Sequence, residues 1–303
     1  MKAPTETLEI KSLPEKFEYL VSTKIDGVRC LIKDGKVLSS TLRELPNPKL
    51  SLFFTDLLKN KEYVFDGELH AASLPFGELV GIVMSHGKDL PKDLKFHAFD
   101  CLTLKEWNNE EKTNEYKDRL KQLKEFAKNY KCISVLKQNK VTNRQELQYL
   151  IDQAQEDNQE GVMIRSPSGL YKNGRCSLKQ DNIYKYKFWL DYDAKILSAH
   201  EMIGIKEGIE RELDPTGHKK TVHKKDDLEP KGTFGYFIVQ VDIEGNPSME
   251  IGSWKGLTRE LRDEIWRNPK SYIGRWIRFK GMSVGIKDVP RIPKEIEFRD
   301  AKD

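Results

Sequence analysis

The sequence predicts an α+β chain in which antiparallel sheets with flanking helices are followed by a smaller β-barrel domain. Three observations predict it. The chain has 303 residues, more than one small core needs, so two domains are expected. Before about residue 190, strand-like apolar runs share the chain with two stretches of helical spacing. After about Asp191 the composition changes to short strands and turns with a single helix.

Taken in order within residues 1–190, "EYLVSTKI" and "VRCLIKDGKVLSS" read as strands around turns, with Asp34-Gly35 as a hairpin signal. "YVFDGELHA" and "LKFHAFDCLTL" are two further strands with aromatic and β-branched content. Residues 109–129 have helical spacing, which places Tyr116, Leu120, Leu123 and Phe126/Ala127 near one face. A second helix is expected over "TNRQELQYLIDQAQED", with Thr142 as N-cap and Gln145 three residues on. "EGVMIRSP" resumes strand character, and "IYKYKFWLDYDAKILSAH" carries the last strand into the next part. In residues 191–303 the short strands include "AKILSAHEM", "GTFGYFIVQVDIEG", "SMEIGSW" and "SYIGRWIRFKGMSV", with a helix at "LTRELRDEIWRN". Five short strands and one helix fit a small barrel such as an OB-fold. A polar, Gly/Pro-punctuated insert runs from about 205 to 231. The five tryptophans (Trp107, Trp189, Trp254, Trp266, Trp276) read mostly as core or domain-junction packing rather than base-stacking groups.

Composition narrows the class. Charged residues make up 33% and apolar ones 38%, so a soluble globular protein is expected, and no apolar run is long enough to span a bilayer. "MKAPTETLEIKSLPEK" lacks the apolar core of a secretory signal. The four cysteines (Cys30, Cys101, Cys132, Cys176) are scattered without zinc-ligand spacing and read as ordinary thiols of a reducing, cytoplasmic compartment. A net charge of +4 permits nucleic acid as a partner without demanding it.

The chemistry concentrates at "STKIDGVRC". A lysine amine is nucleophilic only when neutral, which requires desolvation or neighbouring cations. Lys24 follows an apolar strand and Arg29 is close by; taken alone, Lys24 also fits a surface residue before a hairpin turn. Four further segments bear on it. "VFDGELH" places Glu68 at a strand end, and "FHAFDCL" places Phe99 beside Asp100. "EGVMIR" places Glu160 at the start of an apolar strand, and "YKYKFW" puts Lys185 and Lys187 on one strand face.

With these segments the chain resembles the covalent nucleotidyltransferases, the superfamily of DNA ligases, RNA ligases and mRNA capping enzymes. Its nucleotide-accepting motif KxDGxR reads Lys24-Ile25-Asp26-Gly27-Val28-Arg29, the other segments follow in the family's order, and "PRIPKEIEFRDAKD" is similar to the C-terminal motif of ATP-dependent DNA ligases. The nearest resemblance is to compact viral and phage-type ligases, built from a nucleotidyltransferase (adenylation) domain and an OB domain. It implies that Lys24 attacks the α-phosphorus of ATP, giving a lysyl-AMP phosphoramidate and pyrophosphate. Lys185 and Lys187 then compensate charge at the α-phosphate, although without Lys24 they read as a basic edge strand. Phe99 stacks on adenine with Ile164 as an apolar neighbour, though it also fits a plain core aromatic. Glu68 binds the ribose, Glu68 and Glu160 hold Mg2+, and Thr23 and Ile25 adjoin the nucleotide. Singly, each glutamate also fits a solvated strand end.

Arg29 serves the nucleotide or the nick phosphate, Arg175 in "YKNGRCSLK" contacts the 5′-phosphate at the nick, and Arg299 and Lys302 orient the leaving pyrophosphate. One position departs from the family. Similar ligases show Ser-Arg-Thr after the second strand; here Ser40 stands where that arginine would sit, with Arg43 or Lys49 as substitutes for its phosphate contact.

The implied activity is ATP-dependent sealing of nicks in duplex DNA by a monomer with no evident domain for recruiting other proteins. An RNA-joining or capping enzyme, or a non-catalytic nucleic-acid binder, are the competing readings. The insert holds seven Lys/Arg and seven Asp/Glu, with positive charge concentrated in "HKKTVHKK", including Lys219, Lys220, Lys224 and Lys225. It is expected to be mobile and to fold over DNA as a clamp; a solvated loop is the alternative.

Overall fold

A computed structural model describes every residue except 6–7, 210, 214–218, 222–224, 285–288 and 301–303. The chain divides into two units, Met1–Phe188 and Trp189–Asp303.

The first unit holds two sheets. One is built from β1 (Lys16–Thr23), β7 (Asn139–Asn143), β8 (Gly161–Arg165) and β9 (Ile183–Lys187), in the order β7-β1-β8-β9 and antiparallel throughout. The other is built from β2 (Val28–Lys33), β3 (Lys36–Ser39), β4 (Tyr63–His70), β5 (Lys95–Thr103) and β6 (Ile133–Val135), in the order β3-β2-β4-β5-β6. It is a mixed sheet rather than the all-antiparallel one expected, because β6 pairs parallel to β5. Helix α4 (Tyr116–Asn129) forms the crossover that a parallel pair requires.

Local chemistry explains several elements. Asp34 and Gly35 both take positive φ (51° and 71°), the twist that a two-residue turn between β2 and β3 needs. In α4, Tyr116, Leu120 and Leu123 face the core as expected, but the helix starts seven residues later than its periodicity implied. Helix α5 (Arg144–Glu156) is capped by Asn143, whose side chain accepts from the Glu146 amide, one residue beyond the expected Thr142. Glu146 also accepts from the Thr142 N–H and hydroxyl, but Thr142 precedes the cap, so the reciprocal box is not completed. Leu147, Ile151 and Ala154 of α5 pack on Tyr19, Val21 and Val162. Three short helices, α1 (Lys49–Phe53), α2 (Phe76–Val83) and α3 (Leu104–Trp107), were not anticipated. Leu50, Leu79 and Val83 of the first two close the core of the mixed sheet.

The second unit is an antiparallel sheet of β10 (Leu190–Ile205), β13 (Leu228–Val241), β14 (Ser248–Ile251), β15 (Trp276–Val284) and β16 (Pro290–Arg299), ordered β14-β13-β10-β15-β16. Helix α6 (Arg259–Arg267), capped by Thr258, packs Ile265 into its core with Phe234, Phe237 and Phe279. Among the described residues no ladder joins β14 to β16, so a closed barrel is not formed. Aromatic packing spans the gap instead: Phe298 of β16 lies 6.2 Å from Phe237 of β13 and 5.3 Å from Tyr272 between ring centroids. The insert is more regular than a loop. β10 and β13 pair out to Ile205 and Leu228, and a short hairpin joins β11 (Arg211–Leu213) to β12 (Lys219–Thr221). All five tryptophans are half-buried.

Candidate active site

Lys24 is the first residue beyond β1, and its backbone N–H donates to Gly161 O at 2.9 Å. That bond ties the end of β1 to the start of β8, where Glu160 sits. Gly161 takes φ 151°, and a Cβ there would lie 2.0 Å from Tyr186 O, so only glycine admits this approach of β8 to β9. The register then sets Gly161 opposite Lys187 and Met163 opposite Lys185, putting both lysines on one face as their spacing required. Glu160 joins two of the three amines. Its Oε1 accepts from Lys187 Nζ at 2.8 Å and its Oε2 accepts from Lys24 Nζ. The Glu160 side chain is 6% exposed, against 21% for Lys24, so the carboxylate lies beneath and the nucleophile candidate above. Burial alone would raise the Glu160 pKa; Lys24 and Lys187 overcome it and hold the carboxyl below its usual range.

The mixed sheet supplies the facing wall. Arg29, Glu68 and His97 stand in one cross-strand row of β2, β4 and β5. Gly27 lets the turn before β2 press against β4, since a Cβ there would lie 2.3 Å from Leu69 O. Burial pushes the Glu68 carboxyl up to about 8, with Asp66 and Glu160 adding to the rise and Arg29 and Lys24 opposing it. Between β4 and β5 the pairing slips: Asp66 pairs with Asp100 and Gly67 with Ala98. Phe99 is the extra residue of this bulge and is thereby aimed at the pocket.

The floor is a buried charge network that the sequence reading missed. Asp66 and Asp100, cross-strand partners in otherwise apolar strands, are both almost wholly buried. Arg29 forks Asp66 through Nε and Nη2, and Tyr171 donates its hydroxyl to Asp66 at 2.7 Å. Arg119 binds Asp100 at 2.7 and 3.1 Å, and Arg165 reaches it at 3.3 Å. Three guanidiniums thus compensate two facing carboxylates. Asp66 is held below the usual carboxylate range because these partners outweigh its burial. Arg29, expected to contact nucleotide or nick phosphate, is engaged with Asp66 and with Met1 O. The signal for this network was an aspartate inside each of two apolar strands, "VFDGELH" and "FHAFDCL".

The pocket between the two walls has a volume of about 420 Å³. Thr23, Lys24, Ile25, Arg29, Glu68, Phe99, Arg175, Lys185 and Lys187 line it, as does Ser40. Lys2, Met163 and Arg165 line it without having been anticipated. Ile164 does not neighbour Phe99 there; strand alternation turns it into the core beside Val21 and Tyr184 and leaves Met163 on the pocket side. Arg43 is exposed in the turn after β3, and Lys49 is paired with Asp89. Arg299 lies on β16 of the second unit, 3.3 Å from Glu297. Lys219 and Lys220 are in β12 and Lys225 begins the turn before β13. Lys224 and Lys302 fall outside the described residues. No group of three or more metal-ligating side chains occurs among the described residues. Mg2+ takes one or two carboxylates together with substrate phosphates and water. Of the two expected ligands Glu68 lines the pocket, whereas Glu160 is not among the lining residues and both of its oxygens accept from Lys24 and Lys187.

Comparison with known proteins agrees with this architecture. Residues 1–187 match the family model described as the ATP-dependent DNA ligase domain. A curated protein of Saccharopolyspora erythraea, described as a probable DNA ligase, is 30% identical over 316 residues, covering 98% of this chain and 53% of the relative. The chain therefore spans about half the length of that curated relative. Among solved structures, a Chlorella virus DNA ligase–adenylate is 26% identical with a TM-score of 0.53, covering 100% of this chain and 99% of the other. A Lig E DNA ligase is 21% identical with a TM-score of 0.70 and covers 98% of each chain, a likeness of fold.

Proposed function

The chain belongs to the ATP-dependent DNA ligase family, and from that premise we propose that it seals 3′-hydroxyl/5′-phosphate nicks in duplex DNA through a lysyl-AMP intermediate. One observation carries the reading: the Lys24 amine opens onto a pocket that also holds Lys185, Lys187, Glu68 and Phe99, while Glu160 anchors it from below.

The chemistry follows from these positions. Glu160 holds the Lys24 amine in place and is the acceptor nearest its proton. The freed amine attacks the α-phosphorus of ATP; the N–P bond forms as the bond to the β-phosphate oxygen breaks and pyrophosphate leaves. Phosphoryl transfer concentrates charge on the equatorial oxygens, so positioning and charge compensation do most of the catalysis. Lys185 and Lys187, on one strand face, supply that compensation. Phe99 offers its ring to the base and Glu68 its carboxyl to the ribose. A magnesium ion held by Glu68 or Glu160 with the phosphates would add neutralising charge. AMP then passes to the 5′-phosphate of the nick, and the 3′-hydroxyl displaces it.

We read the second unit as an OB domain whose β11–β12 insert closes on DNA; five antiparallel strands with one helix and the lysine run in and around β12 support this. The test of the whole reading is direct. Incubation with α-32P-labelled ATP and Mg2+ should leave an acid-labile label on the denatured chain, and Lys24→Ala should abolish it. ATP, and neither NAD nor GTP, should support sealing of a nicked DNA duplex. A label that survives Lys24→Ala removes the proposal.

A further inference from the structure

Ser40 lines the pocket where the resemblance implies an arginine, and the expected substitutes Arg43 and Lys49 are not among its lining residues. A cation arrives from the start of the chain instead. The Lys2 N–H donates to Gly174 O at 2.7 Å and the Cys176 N–H donates to Lys2 O at 2.8 Å, so Lys2 forms a parallel bridge with Arg175. Bridge partners project to the same side, and both side chains line the pocket. Arg175 Nη1 also donates to Ala3 O at 2.9 Å, fixing the guanidinium against the same segment.

Two like charges set side by side repel each other. Among the described residues neither side chain forms an ion pair, and the pocket's other arginines, Arg29 and Arg165, are bound to Asp66 and Asp100. A bridged cation pair without a carboxylate, in a pocket that Ser40 also lines, is the arrangement that a phosphate dianion relieves. We infer that Lys2 is a phosphate-binding residue of this site, acting with Arg175 and Ser40.

The inference rests on the proposed ligase reading and deepens it. The phosphate is either the 5′-phosphate of the nick or the tail of ATP, and two measurements separate them. Backbone bonds hold the Lys2 segment, so Lys2→Ala removes the ammonium and keeps the bridge. The first measurement is Lys24–AMP formation against ATP concentration. The second uses pre-adenylylated enzyme and compares its affinity for nicks bearing a 5′-phosphate with that for nicks bearing a 5′-hydroxyl.

If the nick phosphate is bound, Lys2→Ala should leave AMP transfer to Lys24 unchanged and reduce the preference for the 5′-phosphate roughly tenfold to a hundredfold, with Lys2→Arg restoring it. If the ATP tail is bound, half-saturation for ATP should rise by a similar factor, again rescued by Lys2→Arg. A Lys2→Ala enzyme unchanged in both measurements, or a Lys2→Arg enzyme as impaired as Lys2→Ala, overturns the assignment. Wild-type enzyme that forms no Lys24–AMP overturns the ligase reading itself, a separable result.

Discussion

Glu68 shows how one side chain carries both structure and chemistry. Its carboxyl is raised to about 8 by burial in the free protein, and a bound cation would draw it back down. Between the ordinary glutamate value of 4.5 and about 8 the folded state holds a proton that the unfolded state has released. Its contribution to stability is therefore complete below pH 4.5 and lost as pH rises through 8. Glu68→Gln mimics the neutral acid, so the melting temperature of the variant minus that of wild type should climb steadily from pH 5 to pH 8.5. A flat difference would show that Glu68 ionises normally. Much of the residue scale was legible in the sequence: Lys24, Glu68, Phe99, Lys185 and Lys187 all line one pocket. Asp66, Asp100 and Arg165 were not, because mutual compensation of buried charges depends on strand register, which single residues do not encode.

At the scale of elements, glycines decide which strands can approach. Gly27 brings the KxDGxR turn against β4, and a methyl group there would meet the Leu69 carbonyl oxygen at 2.3 Å. Backbone cannot yield as a flexible side chain does, so Gly27→Ala should push β2 from β4. The expected cost is about 1–3 kcal/mol of stability, as for other overpacked sites. AMP loading of Lys24 should fall by more than tenfold, measured by chemical denaturation and by label incorporation. Normal loading in the variant would show that the contact is not needed. The longer strands and both long helices could be read from the sequence by their apolar periodicity; α5 adds a cap signal, whereas α4 has no side-chain cap and starts seven residues later than its spacing implies. Helices α1 and α2 escaped since five and eight residues hold too few turns to display a period. The parallel strand β6 escaped because its three residues carry no alternation to read. The shift of the α5 cap from Thr142 to Asn143 reflects two neighbouring residues that both make good caps; only backbone geometry selects one.

On the scale of the whole molecule, the insert tests how the duplex is held. Removing residues 206–227 should weaken binding to a nicked duplex. It should also lower the slope of log affinity against log salt by about 3 to 4, roughly 0.9 for each phosphate contact made by its lysines. Binding unchanged across a salt series would refute the clamp. The two-unit division could be anticipated from the change of composition near Asp191, whereas the open edge between β14 and β16 could not. Closure depends on whether backbone ladders or aromatic rings fill the gap, and strand patterns are the same in either case.

The pocket draws its lining from Met1 through Lys187, including strands of two separate sheets. No shorter fragment of the first unit can assemble it, so occupancy should report on the integrity of that unit as a whole. Saturating AMP at a hundred times its dissociation constant contributes about 2.7 kcal/mol. In calorimetry, the transition of the first unit should move upward by several degrees while that of the second, with its own core, stays where it was.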